Sequence, residues 1–293
     1  MTTFQFPGHI PPLAPGITFA ATPIGTLADA SFRLVSALAQ ADIIAAEDTR
    51  ALRRLAAGLG VEVTARVVAY HEHNERSVGS ELVEAAAQGE RVVVVSDAGM
   101  PTISDPGFPL ATAAHDAGVP VTVLPGPSAP ATALALAGLP TDTFTFYGFL
   151  PRKGRARAER LAALAGSGHT SVIFESPHRL AATLADLAHE CGADRPAAVC
   201  RELTKVHEEV RRGSVGELAD WARAGVRGEI AVVVGPRVAD DAATAAVTEL
   251  VAEVEELTGL GLKPKVAVKY VAERGGANAR ELYAACQQAR KPR

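Results

Sequence analysis

Cysteine is scarce in this chain and does not provide a covalent or metal-bound framework. Cys191, Cys200 and Cys286 are the only cysteines among 293 residues, and they are widely spaced, with no C-x-x-C pair. An odd number of isolated cysteines argues against both a disulfide scaffold and a cysteine zinc site. We therefore expect these side chains to be ordinary thiols in the core or on the surface.

Long apolar runs and an export signal are also missing. No stretch approaches the roughly 18 uninterrupted apolar residues of a membrane helix, and the first residues lack the basic-then-apolar order of a signal peptide. We therefore expect a cytoplasmic protein with no membrane partner. With 48% hydrophobic residues, the chain is long enough to bury the core of two domains.

The order of apolar segments predicts an α/β protein in four parts. An irregular arm rich in proline covers residues 1–16. Strands and helices then alternate through an N-terminal α/β domain over 17–140, which predicts a mainly parallel sheet. A second α/β domain is expected over 141–238 and a small helical appendix over 239–293.

Two small-residue loops mark the expected ligand site. Residues 96–107 and 124–129 each follow a valine-rich run and precede an alanine-rich stretch. In open α/β sheets the ligand crevice lies outside the carboxyl ends of the strands, so these loops predict two walls of a small-molecule site. The first strand is followed by residues 22–25, which match neither G-x-G-x-x-G nor G-x-x-x-x-G-K-[ST]. A dinucleotide or a triphosphate is therefore not favoured, and turns without a ligand remain the alternative.

Several motifs occur in the order found in the tetrapyrrole-methylase superfamily. They are residues 21–27 (ATPIGTL), 46–50 (AEDTR), 70–75 (YHEHNE), 96–107 (SDAGMPTISDPG), 124–129 (LPGPSA) and 148–151 (GFLP), continued by 174–179 (FESPHR), 201–205 (RELTK) and 228–230 (GEI). The sequence resembles that superfamily over about residues 17–236. Within it, the motifs resemble those of enzymes that methylate a ribose 2′-hydroxyl of a decoding-centre cytidine in small-subunit (16S) ribosomal RNA.

This resemblance implies a fold, a cofactor and partners. It implies two α/β domains of the tetrapyrrole-methylase type with S-adenosylmethionine folded in the cleft between them, a homodimer, and ribosomal RNA within the assembled 30S subunit as substrate. The residues that it places at the cofactor are Pro23, Asp97, Gly99, Met100, Ile103, Ser104, Ser128, Ala129, Phe149, Leu150, Ile230 and Ala231.

The catalytic candidates are Glu47, Asp48, Arg50 and Lys205. The first three could deprotonate a ribose hydroxyl or position the RNA backbone, and a solvated helix start is the alternative. Lys205 belongs to a compact charged group that could be an internal salt bridge or a substrate clamp, and a lysine with a depressed pKa could assist deprotonation. His71 and His73 have no identifiable third partner, so no metal is expected.

The net charge of −4 gives the protein no overall electrostatic attraction to nucleic acid. Local basic segments can nevertheless bind phosphates. The residues expected to contact RNA phosphates are Arg53, Arg54, Arg152, Lys153, Arg155 and Arg157. A solvated face is the plain alternative for such a run. At the level of function, the alternatives are a C-methyltransferase for a corrin or porphyrin precursor and a non-catalytic assembly protein that binds ribosomal RNA.

Overall fold

The computed structural model describes residues 9–237 and 241–289, without the side chains of 241–246 and 288. The chain forms two compact units, Met1–Pro236 and Arg237–Arg293. Of the predicted N-terminal arm, residues 1–8 lie outside the described residues, and 9–15 form no helix or strand.

The first sheet is five-stranded and entirely parallel, as the alternation of strands and helices predicts. Its order is β3-β2-β4-β1-β5. The strands are β1 (Gly16–Ala20), β2 (Ile43–Ala46), β3 (Arg66–Ala69), β4 (Arg91–Val95) and β5 (Val121–Leu124). The helices between and after them are α1 (Phe32–Gln40), α2 (Thr49–Leu59), α3 (Glu75–Ala87), α4 (Phe108–Asp116) and α5 (Ala129–Ala137).

Both faces of this sheet are covered, which explains the runs of consecutive valines in its strands. Val92 and Val94 pack with Leu82 of α3 and Leu110 of α4 on one face. Val93 and Val95, which point the other way because side chains alternate along a strand, pack on the opposite face with α1 and α2. The carboxyl edge of the sheet is left to its loops.

The second sheet is five-stranded and mixed, in the order β6-β7-β10-β8-β9. Its strands are β6 (Phe144–Phe149), β7 (Thr170–Glu175), β8 (Pro196–Arg201), β9 (Glu209–Ser214) and β10 (Ile230–Val234). Only β6 and β7 pair in parallel, and the other pairs are antiparallel. Its helices are α6 (Arg155–Ala165), α7 (Leu180–Cys191) and α8 (Val215–Ala222).

The helix α5 joins the two sheets into one unit. It follows the last strand of the first sheet, yet Ala133 and Leu134 pack against Val172, Ala198 and Val233 of the second sheet. Cys200 is buried in the same cluster, and burial raises the pKa of its thiol to about 11, so it is an unreactive core residue. The two α/β regions therefore share a core, and a domain boundary near residue 140 stays a prediction.

A charged pair ties two strands together at the amino edge of the first sheet, away from the loops. The Arg91 guanidinium donates through Nε to Asp42 Oδ2 (2.8 Å) and through Nη2 to Asp42 Oδ1 (2.6 Å), and the Arg91 backbone N–H also donates to Oδ2. The hydrogen bonds from Arg91 lower the pKa of Asp42 from 3.8 to about 2.

We expect Asp42→Asn to lower the free energy of unfolding at neutral pH by about 1 kcal/mol or less, because both side chains are about a third exposed. A carboxyl whose pKa is depressed in the fold stabilises it above about pH 4, and this contribution disappears as pH falls through about 2. Urea unfolding of both proteins should therefore show a difference that shrinks with acid. A difference that grows with acid would contradict this assignment.

The unit Arg237–Arg293 is helical over its described residues, as expected for the appendix. It contains α9 (Asp241–Gly259), α10 (Pro264–Gly275) and α11 (Ala279–Ala289). They pack around Val254, Val268, Val271 and Leu282. Residues 239–240 and 290–293 of the predicted appendix lie outside the described residues. None of the helices described in either unit is long and apolar enough to cross a membrane.

Candidate active site

A cavity of about 480 Å³ opens between the carboxyl edge of the first sheet and the second sheet. Its volume lies in the usual range for a small-molecule site. It is lined by Ile24, Glu47, Asp97, Ala98, Ser104, Asp105, Ala129, Phe149, Phe174, Glu175, Ser176, Pro177, Leu203, Gly228, Glu229, Ile230 and Ala231. The loops after β1, β2 and β4 and the first residue of α5 contribute one side, which confirms the predicted edge of the sheet as the location of a pocket.

The loop over residues 96–107 has a constrained backbone. Gly99 and Thr22 exchange backbone hydrogen bonds of 2.9 and 3.1 Å, which join this loop to the one after β1. Thr102 and Ser104 have φ values of 74° and 67°, in the left-handed region that residues other than glycine rarely adopt. Such strain persists only where the surrounding structure enforces it, and it is concentrated at functional sites. In this loop, the constrained backbone places Ser104 and Asp105 on the cavity wall.

An acidic group lies on this wall. Glu47 follows β2, and Asp97 and Asp105 follow the neighbouring strand β4. Burial raises the pKa of Glu47, and the charges of Asp97 and Glu72 add to the rise. Burial together with the charge of Glu47 raises the pKa of Asp105 to about 6, against the opposing hydrogen bond from Ser96. Carboxyl groups with raised pKa values are suited to accept a proton near neutral pH.

Asp48 and Arg50 do not line the cavity. Asp48 caps α2: its Oδ1 accepts a hydrogen bond from the Arg50 backbone N–H (2.7 Å), which lowers the pKa of the Asp48 carboxyl. The Asp48 backbone N–H donates to Asp97 Oδ1 (3.0 Å). The Asp48 side chain therefore acts as the cap at the start of α2, which is the alternative given for it above. Its backbone N–H holds the Asp97 carboxylate.

The opposite wall comes from the second sheet. A bulge near Gly148, whose φ is 63°, interrupts the pairing of β6 with β7 and precedes Phe149 on the cavity wall. The rings of Phe149 and Phe174 lie 5.5 Å apart. Gly228, just before β10, has a φ of 97°, and a Cβ there would overlap the Glu202 side chain. Only glycine allows this approach.

Lys205 lies in an internal ion-pair group and not on the cavity wall. Its Nζ is 3.0 Å from Glu202 Oε1 and 3.0 Å from Glu229 Oε2. Burial alone would lower the pKa of the Lys205 amine, but hydrogen bonds to these carboxylates outweigh it and raise the pKa. This direction argues against Lys205 as a proton acceptor, which would need a depressed pKa. The internal salt bridge is the alternative that the structure supports.

The residues predicted at the cofactor divide into two groups. Those on the cavity wall are Asp97, Ser104, Ala129, Phe149, Ile230 and Ala231. Those not on it are Pro23, Gly99, Met100, Ile103, Ser128 and Leu150, and the Leu150 side chain is buried in the core beneath the second sheet. Lining residues that were not predicted include Asp105, Phe174, Glu175 and Glu229. All four lie in motifs quoted for the resemblance, and Asp105 also lies in the loop over residues 96–107 that was predicted as a wall of the site.

The basic residues predicted to contact RNA differ in their surroundings. Arg53, Arg54, Arg152 and Lys153 are exposed, and Arg155 is exposed and paired with Glu159. Arg157 is different: its side chain is only 12% exposed and its Nη2 lies 2.6 Å from Asp186 Oδ2. The Arg157 guanidinium is therefore occupied within the fold, and the direct phosphate contact expected of it stays a prediction.

The two histidines near the site form no metal centre with the side chains that are described. Among these residues, no group of three or more histidine, cysteine, aspartate or glutamate side chains is arranged to hold a metal ion. The rings of His71 and His73 lie 5.9 Å apart. His71 acts electrostatically on Glu47, partly opposing the rise of its pKa.

Comparison with known proteins identifies the family. The model of the Tetrapyrrole (Corrin/Porphyrin) Methylases matches residues 16–219. The chain belongs to this family. This result confirms the resemblance inferred from the motifs, and it accounts for a methylase cavity without a dinucleotide glycine pattern.

Curated relatives resemble nearly the whole chain. A protein of Mycobacterium bovis named ribosomal RNA small subunit methyltransferase I is 51% identical over 94% of this chain and 95% of its own length. A protein of the same name from Halalkalibacterium halodurans is 41% identical over 90% of this chain and 91% of its own. Within the tetrapyrrole methylases, the chain therefore belongs with the proteins of this name.

A solved structure supports the fold. Uroporphyrin-III C-methyl transferase from Thermus thermophilus, complexed with S-adenyl homocysteine, has a TM-score of 0.54 over 75% of this chain and 97% of its own, at 17% identity. At this identity the likeness concerns the fold alone. The architecture of two sheets is thus that of the tetrapyrrole methylases.

Proposed function

We propose that this protein transfers a methyl group from S-adenosylmethionine to a cytidine ribose 2′-hydroxyl in small-subunit ribosomal RNA. The observation that carries the proposal is the end-to-end similarity to ribosomal RNA small subunit methyltransferase I, at 51% identity over 94% of the chain. The cavity supports it, because its walls suit a positively charged donor with an apolar body.

The residues of the cavity fit S-adenosylmethionine. Phe149, Phe174, Ile230 and Ala231 provide apolar surface for the adenosine. The carboxylates on the wall favour the positive charges of the sulfonium and the amine, and they disfavour a polyphosphate. Asp97 is placed to accept hydrogen bonds from an amine or from ribose hydroxyls. When bound, the cofactor supplies an activated methyl group on a good leaving group.

The remaining chemical tasks fall to residues of this chain. Glu47 accepts the proton of the attacking hydroxyl, because it lies on the cavity wall and its pKa is raised. Asp105, which sequence reasoning missed, shares the same wall, and its electrostatic coupling to Glu47 sets how readily either takes a proton. Most of the acceleration then comes from alignment of the two substrates.

The substrate is expected to be the 30S subunit, held by exposed cations around the cavity. Arg152 and Lys153 follow Phe149 within a few residues, and Arg53 and Arg54 are exposed on α2, which begins two residues after Glu47. Each phosphate contact should contribute a salt-dependent term to binding. We also propose that the protein is a homodimer and that it acts in the cytoplasm, where ribosomal subunits are assembled. Sedimentation of the purified protein measures its oligomeric state.

The decisive experiment is methyl transfer to 30S subunits purified from cells that lack this enzyme. With labelled S-adenosylmethionine, we expect one modified cytidine and a ribose methyl on nuclease mapping. Methylation of a base, or of uroporphyrinogen in a parallel reaction, would overturn the assignment. Binding of 30S subunits without any transfer would favour the non-catalytic assembly protein instead.

A further inference from the structure

A partly buried polar network lies between the cavity and the exposed cations at residues 152–155. We call these four residues, Arg152, Lys153, Gly154 and Arg155, the basic segment. Phe149 lies on the cavity wall only three residues before Arg152, so their Cα atoms are within about 11 Å of each other. Contacts that fix the chain between Phe149 and Arg152 therefore affect both the cavity and the basic segment.

The network begins at Glu175, the last residue of β7, whose side chain is fully buried on the cavity wall. Its Oε1 accepts a hydrogen bond from the Ser176 backbone N–H (2.8 Å). Its Oε2 accepts one from the Thr183 hydroxyl (2.6 Å) and lies 3.3 Å from Arg179 Nη2. Both oxygens of Glu175 therefore have partners within the protein.

Two arginines extend from these groups to consecutive backbone carbonyls. Arg179 Nη2 donates to the carbonyl of Leu150 (3.0 Å). Arg157 Nη1 donates to the carbonyl of Pro151 (3.1 Å), and its Nη2 donates to the Thr183 hydroxyl (3.1 Å). Asp186 Oδ2 accepts from Arg157 Nε and Nη2, at 3.0 and 2.6 Å. Each arginine is thus anchored on a buried or partly buried carboxylate.

We infer that Arg157 and Arg179 are positioning residues for RNA, which hold the Leu150 and Pro151 carbonyls so that the basic segment is presented beside the cavity before RNA arrives. This inference rests on the proposed function. A segment ordered in advance binds without the entropic cost of ordering it in the complex. The planar fork of arginine suits this task, since it spans several acceptors at fixed angles and a lysine does not.

The test compares Arg157→Lys with the wild type in binding unmethylated 30S subunits and in calorimetric titration with S-adenosylmethionine. The substitution keeps the charge but removes the fork, so we expect the KM for 30S subunits to rise about tenfold while kcat at saturation and S-adenosylmethionine affinity are retained. Asp186→Asn, which keeps the shape of the anchor, should act in the same direction. Arg223→Lys, at an exposed surface pair with Asp220, is the matched control and should behave as wild type.

A double-mutant cycle separates positioning from direct contact. In a protein that already carries Arg152→Ala, Lys153→Ala and Arg155→Ala, adding Arg157→Lys should have no further effect on 30S binding, because it acts through those three cations. An additive loss, unchanged 30S binding, or a lower melting temperature with unchanged KM would each overturn the inference. Failure of the wild type to methylate 30S subunits would instead reject the proposed function.

Discussion

Replacing Glu47 with glutamine is expected to slow methyl transfer at saturating substrates by about 10²–10⁴-fold, the usual contribution of a positioned general base. Glu47 lies on the cavity wall, and burial together with the charges of Asp97 and Glu72 raises its pKa, so its carboxylate is a better proton acceptor than one in water. Glutamine has nearly the same shape but cannot accept the proton. Single-turnover transfer to 30S subunits measures the effect on this step directly.

Asp48→Asn is the matched control for this experiment. The Asp48 side chain is adjacent in sequence but caps α2, and asparagine is an equally good residue at that position. Its contact with Asp97 comes from the backbone N–H and so survives the substitution. The control should therefore keep most of the wild-type rate. If Glu47→Gln transfers methyl groups as fast as Asp48→Asn, Glu47 is not the proton acceptor.

The first sheet and the location of the cavity could be predicted because their signals are local. Consecutive valines such as those in β4 are typical of a strand buried on both faces, and glycine-rich residues 96–107 mark the loop that follows it. Parallel strands place their following loops at one edge, so the position of the cavity follows from the order of elements.

The contacts made by individual side chains could not be predicted, because their partners are distant in sequence. Arg157 belongs to a run of basic residues, but its partner Asp186 lies 29 residues away on α7. Lys205 is paired with Glu229, which lies 24 residues further along the chain, just before β10. The bulge at Gly148 places Phe149 on the cavity wall and leaves Leu150 in the core, an outcome that alternation along a strand does not specify.

The pH dependence of methyl transfer is expected to have an acid limb set by Asp105. In the free enzyme, kcat/KM for S-adenosylmethionine should rise with pH through about 6, the raised pKa of this carboxyl, and level off above it. The rate rises with pH because an ionised Asp105 attracts the positively charged donor and is able to share a proton with Glu47. The protonated form does neither. Binding of the positive donor favours the ionised carboxylate, so the limb in kcat should lie at lower pH than the limb in kcat/KM.

Substitutions distinguish Asp105 from other carboxyl groups. Asp105→Asn should remove the limb near pH 6 and lower the plateau of kcat/KM. Asp48→Asn should leave the limb in place, because the hydrogen bond from the Arg50 backbone lowers the pKa of Asp48. In Glu47→Gln, the limb should move to lower pH, since burial still raises the pKa of Asp105 but the charge of Glu47 no longer does. A limb near pH 6 that persists in Asp105→Asn would assign it to another group, and the coupling of the two carboxyls would then be wrong.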